Sequence, residues 1–349
     1  MIREYLTRTS NRTAVSTLTI VLGIALVFAC PPKSQAQEDV VVTRRASKQS
    51  DGSSNGTIKR KGTIVEWRGL SLTIDSSGTE REIDNDEIVQ IQTTWSEEFT
   101  AGQKLFQNGQ AKEAATKLQA ALSKETRAWA KRIIRAELVE ALCSIEQHSA
   151  AAEHFLLILQ DDPNTRFIHL APLVWTGAGT ALNRPAQQWI QSNNPTIQLM
   201  GASWLLVGAD RQNAINVLDE LTRDIDPNIQ SLAIAQLWRS RSTTNAKQTA
   251  VWQNIVDKMP RAIRAGPYLV LANAQSKAGQ NRQATLNLMR VPILYPDQRS
   301  LSAAALYHAG KLLRSSNDPS SADTVFGELK TRFPQTVWAQ QAANSLQLK

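Results

Sequence analysis

Few residues of this chain could carry covalent or metal chemistry. Cys143, His148 and His154 lie within twelve positions of one another, and a thiol beside imidazoles is what a Cys–His nucleophile pair needs. The plainer reading of Cys143 is a small buried thiol in the apolar pattern Leu138, Val139, Leu142, Ile145. A metal pair on a helix calls for His at i and i+4 beside a carboxylate ligand. None of His148, His154, His169 and His308 has that arrangement. Gly177-Ala178-Gly179 has no strand before it and no Lys-Ser/Thr after it, so it reads as a turn and not as a phosphate loop. The expectation is a non-enzymatic chain without cofactor or metal.

Basic groups offer phosphate contact as a second chemistry. Lys59-Arg60-Lys61 forms one cluster, and Arg127, Lys131 and Arg135, with Arg132 beside them, form a stripe at i, i+4, i+8. A lysine-rich strand edge also deters pairing with other chains, and a charged helix stripe near Glu125 and Glu137 is an ordinary solvated face. The whole chain has 39 basic and 31 acidic residues in 349. Setting aside Arg3, Arg8, Arg12, Lys33 and Glu4 of the N-terminal segment leaves 35 against 30, a surplus too small to call for a polyanion.

The elements that must position these groups fall into two kinds. Residues 37–95 alternate with period two, the mark of half-buried strands. Strands are expected at 40–43, 57–67, 70–75, 80–83 and 88–95, with a polar loop at 47–56. Ile64, Leu72, Ile74, Ile83, Val89 and Ile91 are the expected inward set. Five short strands must close or pack to be stable, and a small β-barrel-like domain is the economical solution. The order of turns and strands is similar to the SH3-like and Sm-like small barrels, a likeness that implies RNA binding as one use of such a module.

From Ser96 onward apolar residues recur at three and four, so helices joined by short turns are expected. Within residues 268–338 one helix-pair pattern occurs twice. Ala284 and Ala322 each have a small residue twelve before (Ala272, Gly310), an apolar residue four after (Leu288, Phe326) and a Pro twelve after (Pro296, Pro334). Gly102, Ala114 and Leu118 fit the same register, as do Ala151, Phe155 and Pro163. This spacing resembles the tetratricopeptide repeat (TPR). Residues 194–198, Asn-Pro-Thr-Ile-Gln, return 32 positions later as Asp-Pro-Asn-Ile-Gln, which resembles HEAT-type helix pairs. Asp226 or Asn228 would cap the second of them. A further pair is expected from helices at 166–176 and 184–191. The fold class expected is mainly α: an α-α superhelical solenoid, TPR/HEAT-like, preceded by the small five-stranded β-barrel-like domain. Its parts would be TPR-like repeats at 96–164, HEAT-like pairs at 165–240 and TPR-like repeats at 241–349. Trp204, Trp238 and Trp252 fall in apolar stripes, where core packing is the default.

The TPR resemblance implies a ligand groove lined by the first helix of each pair. Carried onto this sequence it points to Asn273 and Lys277 in one repeat and Tyr307, Lys311 and Arg314 in the next, a set suited to an acidic or C-terminal peptide. Leu269 stands where the carboxylate-clamp subtype needs Lys. The N-terminus reads as a secretory signal: three Arg precede an uncharged run at 14–29, and Ser34-Gln35-Ala36 supplies a cleavage site, with the mature start at Gln37. Val27-Phe28-Ala29-Cys30 resembles a lipobox, so lipidation at Cys30 is the alternative, and an uncleaved anchor is a third. The function expected is a protein–protein scaffold of the bacterial envelope; the alternative is nucleic-acid binding through the small barrel and the basic helix face.

Overall fold

The structure is a computed structural model that describes residues 38–44, 56–177, 182–241 and 245–347. The segment at 1–36 expected to be a signal, nearly all of the polar loop at 47–56, and Ala178 and Gly179 lie outside the described residues.

The alternating segment forms five antiparallel strands, β1 (Asp39–Arg44), β2 (Thr57–Arg68), β3 (Ser71–Ser76), β4 (Thr79–Asp84) and β5 (Ile88–Gln92), in the order β4-β3-β2-β1-β5. Long β2 serves both ladders, pairing β1 through residues 57–62 and β3 through residues 63–68. Its register shifts between Ile64 and Glu66, the kind of irregularity that bends a strand. No β4–β5 ladder joins the two ends of this order among the described residues, so the sheet does not close through its own strands. Its core is Val41, Ile64, Leu72, Ile74 and Ile83 together with Trp129 and Ala130 from the helical part. Val89, expected inside, is 52% exposed, and Ile91 is only half-buried. The helix that carries Trp129 supplies the side of the core that a short edge strand cannot.

Fourteen α-helices follow among the described residues. They are α1 (Glu97–Gln107), α2 (Ala111–Lys124), α3 (Ala128–Ser144), α4 (His148–Asp161), α5 (Asn183–Trp189), α6 (Pro195–Leu205) and α7 (Arg211–Leu221). Then come α8 (Pro227–Ser240), α9 (Ala246–Lys258), α10 (Ala265–Lys277), α11 (Asn281–Leu294), α12 (Arg299–Ser315), α13 (Pro319–Arg332) and α14 (Val337–Gln347). Side-chain oxygens of Ser96, Asn194, Asp226, Asn245 and Asp318 accept backbone N–H bonds at the starts of α1, α6, α8, α9 and α13, satisfying donors that a helix start leaves open. Helices α4, α11 and α13 stop at Asp162, Tyr295 and Phe333, with φ of −144°, −131° and −135°. Each precedes a Pro, whose ring disfavours the helical region for its predecessor.

The repeated small and apolar positions are a packing device. Ala114, Ala151, Ala284 and Ala322 are all fully buried, as are Leu118, Phe155 and Phe326. A Cβ on Gly310 would lie 2.5 Å from the Phe326 ring, so only Gly lets α12 and α13 approach this closely. The array then closes on itself. Ser300 at the start of α12 donates its N–H to Glu140 of α3 (2.8 Å), and Gln335 accepts from Lys112 N–H (2.8 Å) and donates to Glu113 (2.7 Å). Arg299 also stacks over Phe106 of α1. The first and last helix pairs are therefore neighbours.

Two further expectations need correction. Residues 166–176 are not a helix: only a 3₁₀ turn, Ile168–Leu170, forms, and the backbone beyond it is irregular. Pro172 removes a donor and biases Ala171 away from the helix, where φ is −50° and ψ 125°. The basic stripe of α3 is not a solvated face either. Arg132, 2% exposed, pairs with Glu66 and donates to Trp67 O of the sheet. Arg127 pairs with Glu125 and lies over Trp95 and Trp129, while Arg135 pairs with Asp161. These guanidiniums tie the sheet to α3 and α3 to α4.

Candidate functional site

The non-helical segment 165–177 runs through the interior of the closed array. Its backbone polar groups cannot use a helix ladder, and buried side chains replace it. Ser203 Oγ accepts Val174 N–H (2.9 Å), Gln236 Nε2 donates to Val174 O (3.1 Å), and Trp204 Nε1 donates to Pro172 O (2.7 Å). Ser203 and Gln236 also bond to each other (3.0 Å). Arg239 secures the set from outside by donating to Ser203 O (2.9 Å). A fully satisfied buried network of this kind fixes one backbone path. At its end Trp175 packs against both hydrophobic cores of the helical part.

Trp175, Thr176 and Leu269 form a wall shared by two cavities. The cavity on the α10–α12 side has a volume of about 520 Å³. Asn273 and Lys277, one turn apart on α10, and Lys311 on α12 reach it, together with Arg239 and His308. No carboxylate lines it among the described residues. Burial holds Arg239 down to about 10, so it stays charged near neutrality. Burial and then the Lys311 ammonium push His308 down to about 4, which leaves it neutral. The cavity thus presents three fixed positive charges over an apolar wall of Trp175, Leu269, Leu288 and Leu312. Such an arrangement attracts an anion and shields the pairing from water.

Tyr307 and Arg314 do not reach this cavity. Tyr307 is 8% exposed and packs on Phe326 and Trp338, under the Lys311 ammonium. Arg314 pairs with Asp323 (2.6 Å) and lies over Phe326. Both share helix α12 with Lys311, but each turns onto α13 or α14 instead of the opening. Arg239, His308 and Trp175 are the members that reasoning from the repeat register missed. They come from another helix pair, an adjacent face and a non-helical segment, for which local periodicity carries no mark.

The second cavity, about 430 Å³, lies between α3, α12 and the central segment. Cys143 and His148 both line it and His154 does not. Burial moves the Cys143 thiol far above its usual range, with the Glu140 charge adding to the shift, so the thiolate a nucleophile needs is absent near neutrality. No group of three His, Cys, Asp or Glu among the described residues could hold a metal. None of the helices among the described residues is long and apolar enough to cross a membrane. Comparisons with family models, with curated proteins and with solved structures return no match for this chain.

Proposed function

We propose that the protein is a non-enzymatic interaction scaffold that binds the acidic or C-terminal end of a partner polypeptide between α10 and α12. The observation that carries this reading is the cavity that Arg239, Lys277 and Lys311 line without a carboxylate among the described residues. A carboxylate is the simplest group that neutralises such a site, and the apolar wall suits the side chains beside it. The nucleic-acid alternative is less well supported, because three arginines of its basic helix face already pair with Glu66, Glu125 and Asp161.

The test is affinity capture of partners by the full chain and by the double variant Lys277→Glu/Lys311→Glu, neither residue being part of the core. Retention of direct partners is expected to fall by roughly tenfold or more, the consequence of replacing attraction by repulsion at about 1.4 kcal/mol or above. An unchanged set of captured proteins would remove the cavity from consideration. The Arg-flanked uncharged run at 14–29 and the small residues Ser34 and Ala36 support an exported scaffold of the cell envelope. Intact-mass measurement of the secreted or membrane-fraction chain should give a start at Gln37 or a lipidated Cys30; an intact Met1 in a cytosolic fraction would refute export.

A further inference from the structure

The two cavities on either side of Trp175 are lined by different charged groups, basic on one side and carboxyl on the other. On the α10–α12 side the fixed charges are Arg239, Lys277 and Lys311. On the α3 side no Lys or Arg lines the cavity among the described residues; its carboxyl groups are the exposed Glu146 and the buried Glu140, which burial pushes up to about 7 and which is therefore only partly ionised near neutrality. His148 and His169 line it as neutral groups, since burial holds both below the usual imidazole range. Three indoles, Trp175, Trp204 and Trp338, face the same space. The negative face of an indole attracts a cation, more strongly where water is excluded. An ammonium on an apolar stem matches such a lining better than a compact inorganic ion does.

We infer that the two cavities hold one chain end, with its free carboxylate on the α10–α12 side and the ammonium of an upstream lysine among the three tryptophans. This rests on the reading of the basic cavity as a carboxylate site and adds to it a second requirement on the ligand. Trp175, Thr176, Gly177 and Leu269 line both cavities, so the two adjoin along this segment. The ligand is dipolar, positive in one cavity and negative in the other. A peptide with only one of the two groups leaves the opposite cavity unmatched.

The probe is a series of acetylated peptides with one lysine moved from the second to the fifth position from a free C-terminus. Each is measured by calorimetry on the full chain against its norleucine and C-terminal amide counterparts. Amidation is expected to weaken binding by roughly tenfold, and one lysine register to bind about fivefold tighter than norleucine. Two variants locate that preference. Glu146 is exposed and has φ of 59°, a backbone that Asn tolerates, so Glu146→Asn removes the charge without disturbing the fold. Trp338→Leu removes an indole that is only half-buried. Both are expected to erase the lysine preference and keep the dependence on the carboxylate. Carboxylate-dependent binding with no lysine register, or a preference that persists in both variants, overturns the inference and leaves the basic cavity as a carboxylate site. Binding indifferent to amidation, or no heat at millimolar peptide, overturns both.

Discussion

Replacing Glu140 by Gln is expected to stabilise the protein at about pH 8 and to do almost nothing at about pH 5. The Glu140 carboxyl is 7% exposed, between α3 and the start of α12. Burial is the main force on it and pushes it from 4.5 up to about 7, against hydrogen bonds from Ser300 and Arg299; the Glu137 charge adds to the rise. The unfolded carboxyl titrates near 4.5, so the folded state holds a proton that the unfolded state has lost between the two values. Stability from this group is therefore complete below 4.5 and is lost as pH rises through about 7. The span corresponds to about 3 kcal/mol. Gln keeps an oxygen that accepts the Ser300 N–H and has no charge to desolvate. At about pH 8 the variant should melt roughly 5 °C higher, and at about pH 5 the gain should fall below about 1 kcal/mol. A variant that melts lower at both values would mean that the ionised carboxylate holds α12 more strongly than burial penalises it.

The same residue marks what the sequence could not announce. Strand limits were legible to within a few residues, because alternation at 57–92 is a local consequence of one buried face. So were the helix starts at Asn194 and Asp226 and the stops before Pro163, Pro296 and Pro334, each decided by one or two neighbouring residues. Closure of the array depends on Glu140 meeting Ser300, 160 positions away, and on Gln335 meeting Glu113, 222 away. Neither residue type nor local period says that such partners will meet. Arg132 misled for the same reason: helical spacing gives the face of α3, and only the sheet packed on it makes that face an interior.

The site divides in the same way. Asn273, Lys277 and Lys311 were found because repeat register fixes which side of a helix looks inward. Tyr307 and Arg314 obey that register too, yet their long side chains bend to Trp338 and Asp323. Register constrains where Cβ points and leaves the far end of the side chain to its neighbours. The central segment was the largest misreading. Phe167, Ile168, Leu170, Leu173 and Val174 have helix-like apolar spacing, and one proline, with Ser203 and Gln236 waiting to bond the freed backbone, outweighs it.

That segment supplies the second large effect. Trp175 lies flat on α10 at Gly266, where an added Cβ would sit 2.1 Å from Cε2 and 2.3 Å from Cδ2. Gly266→Ala must therefore displace the indole from both cores, with an expected loss of about 1–3 kcal/mol. Trp175→Ala removes a half-buried indole and should cost about 2–3 kcal/mol, below the usual figure for a fully buried one. In the background of Trp175→Ala the same Gly266→Ala change no longer meets the indole, which supplies the three nearest atoms to the added methyl. Its backbone φ is not in the left-handed region, so the methyl should then stabilise by about 0.4–1 kcal/mol through reduced freedom of the unfolded chain. The sign of one substitution reverses according to whether a ring 91 positions earlier is present. Denaturant midpoints of the four proteins measure the coupling, expected above about 1.5 kcal/mol. Additive effects would place Trp175 away from α10, and with it the side chain that lines both cavities.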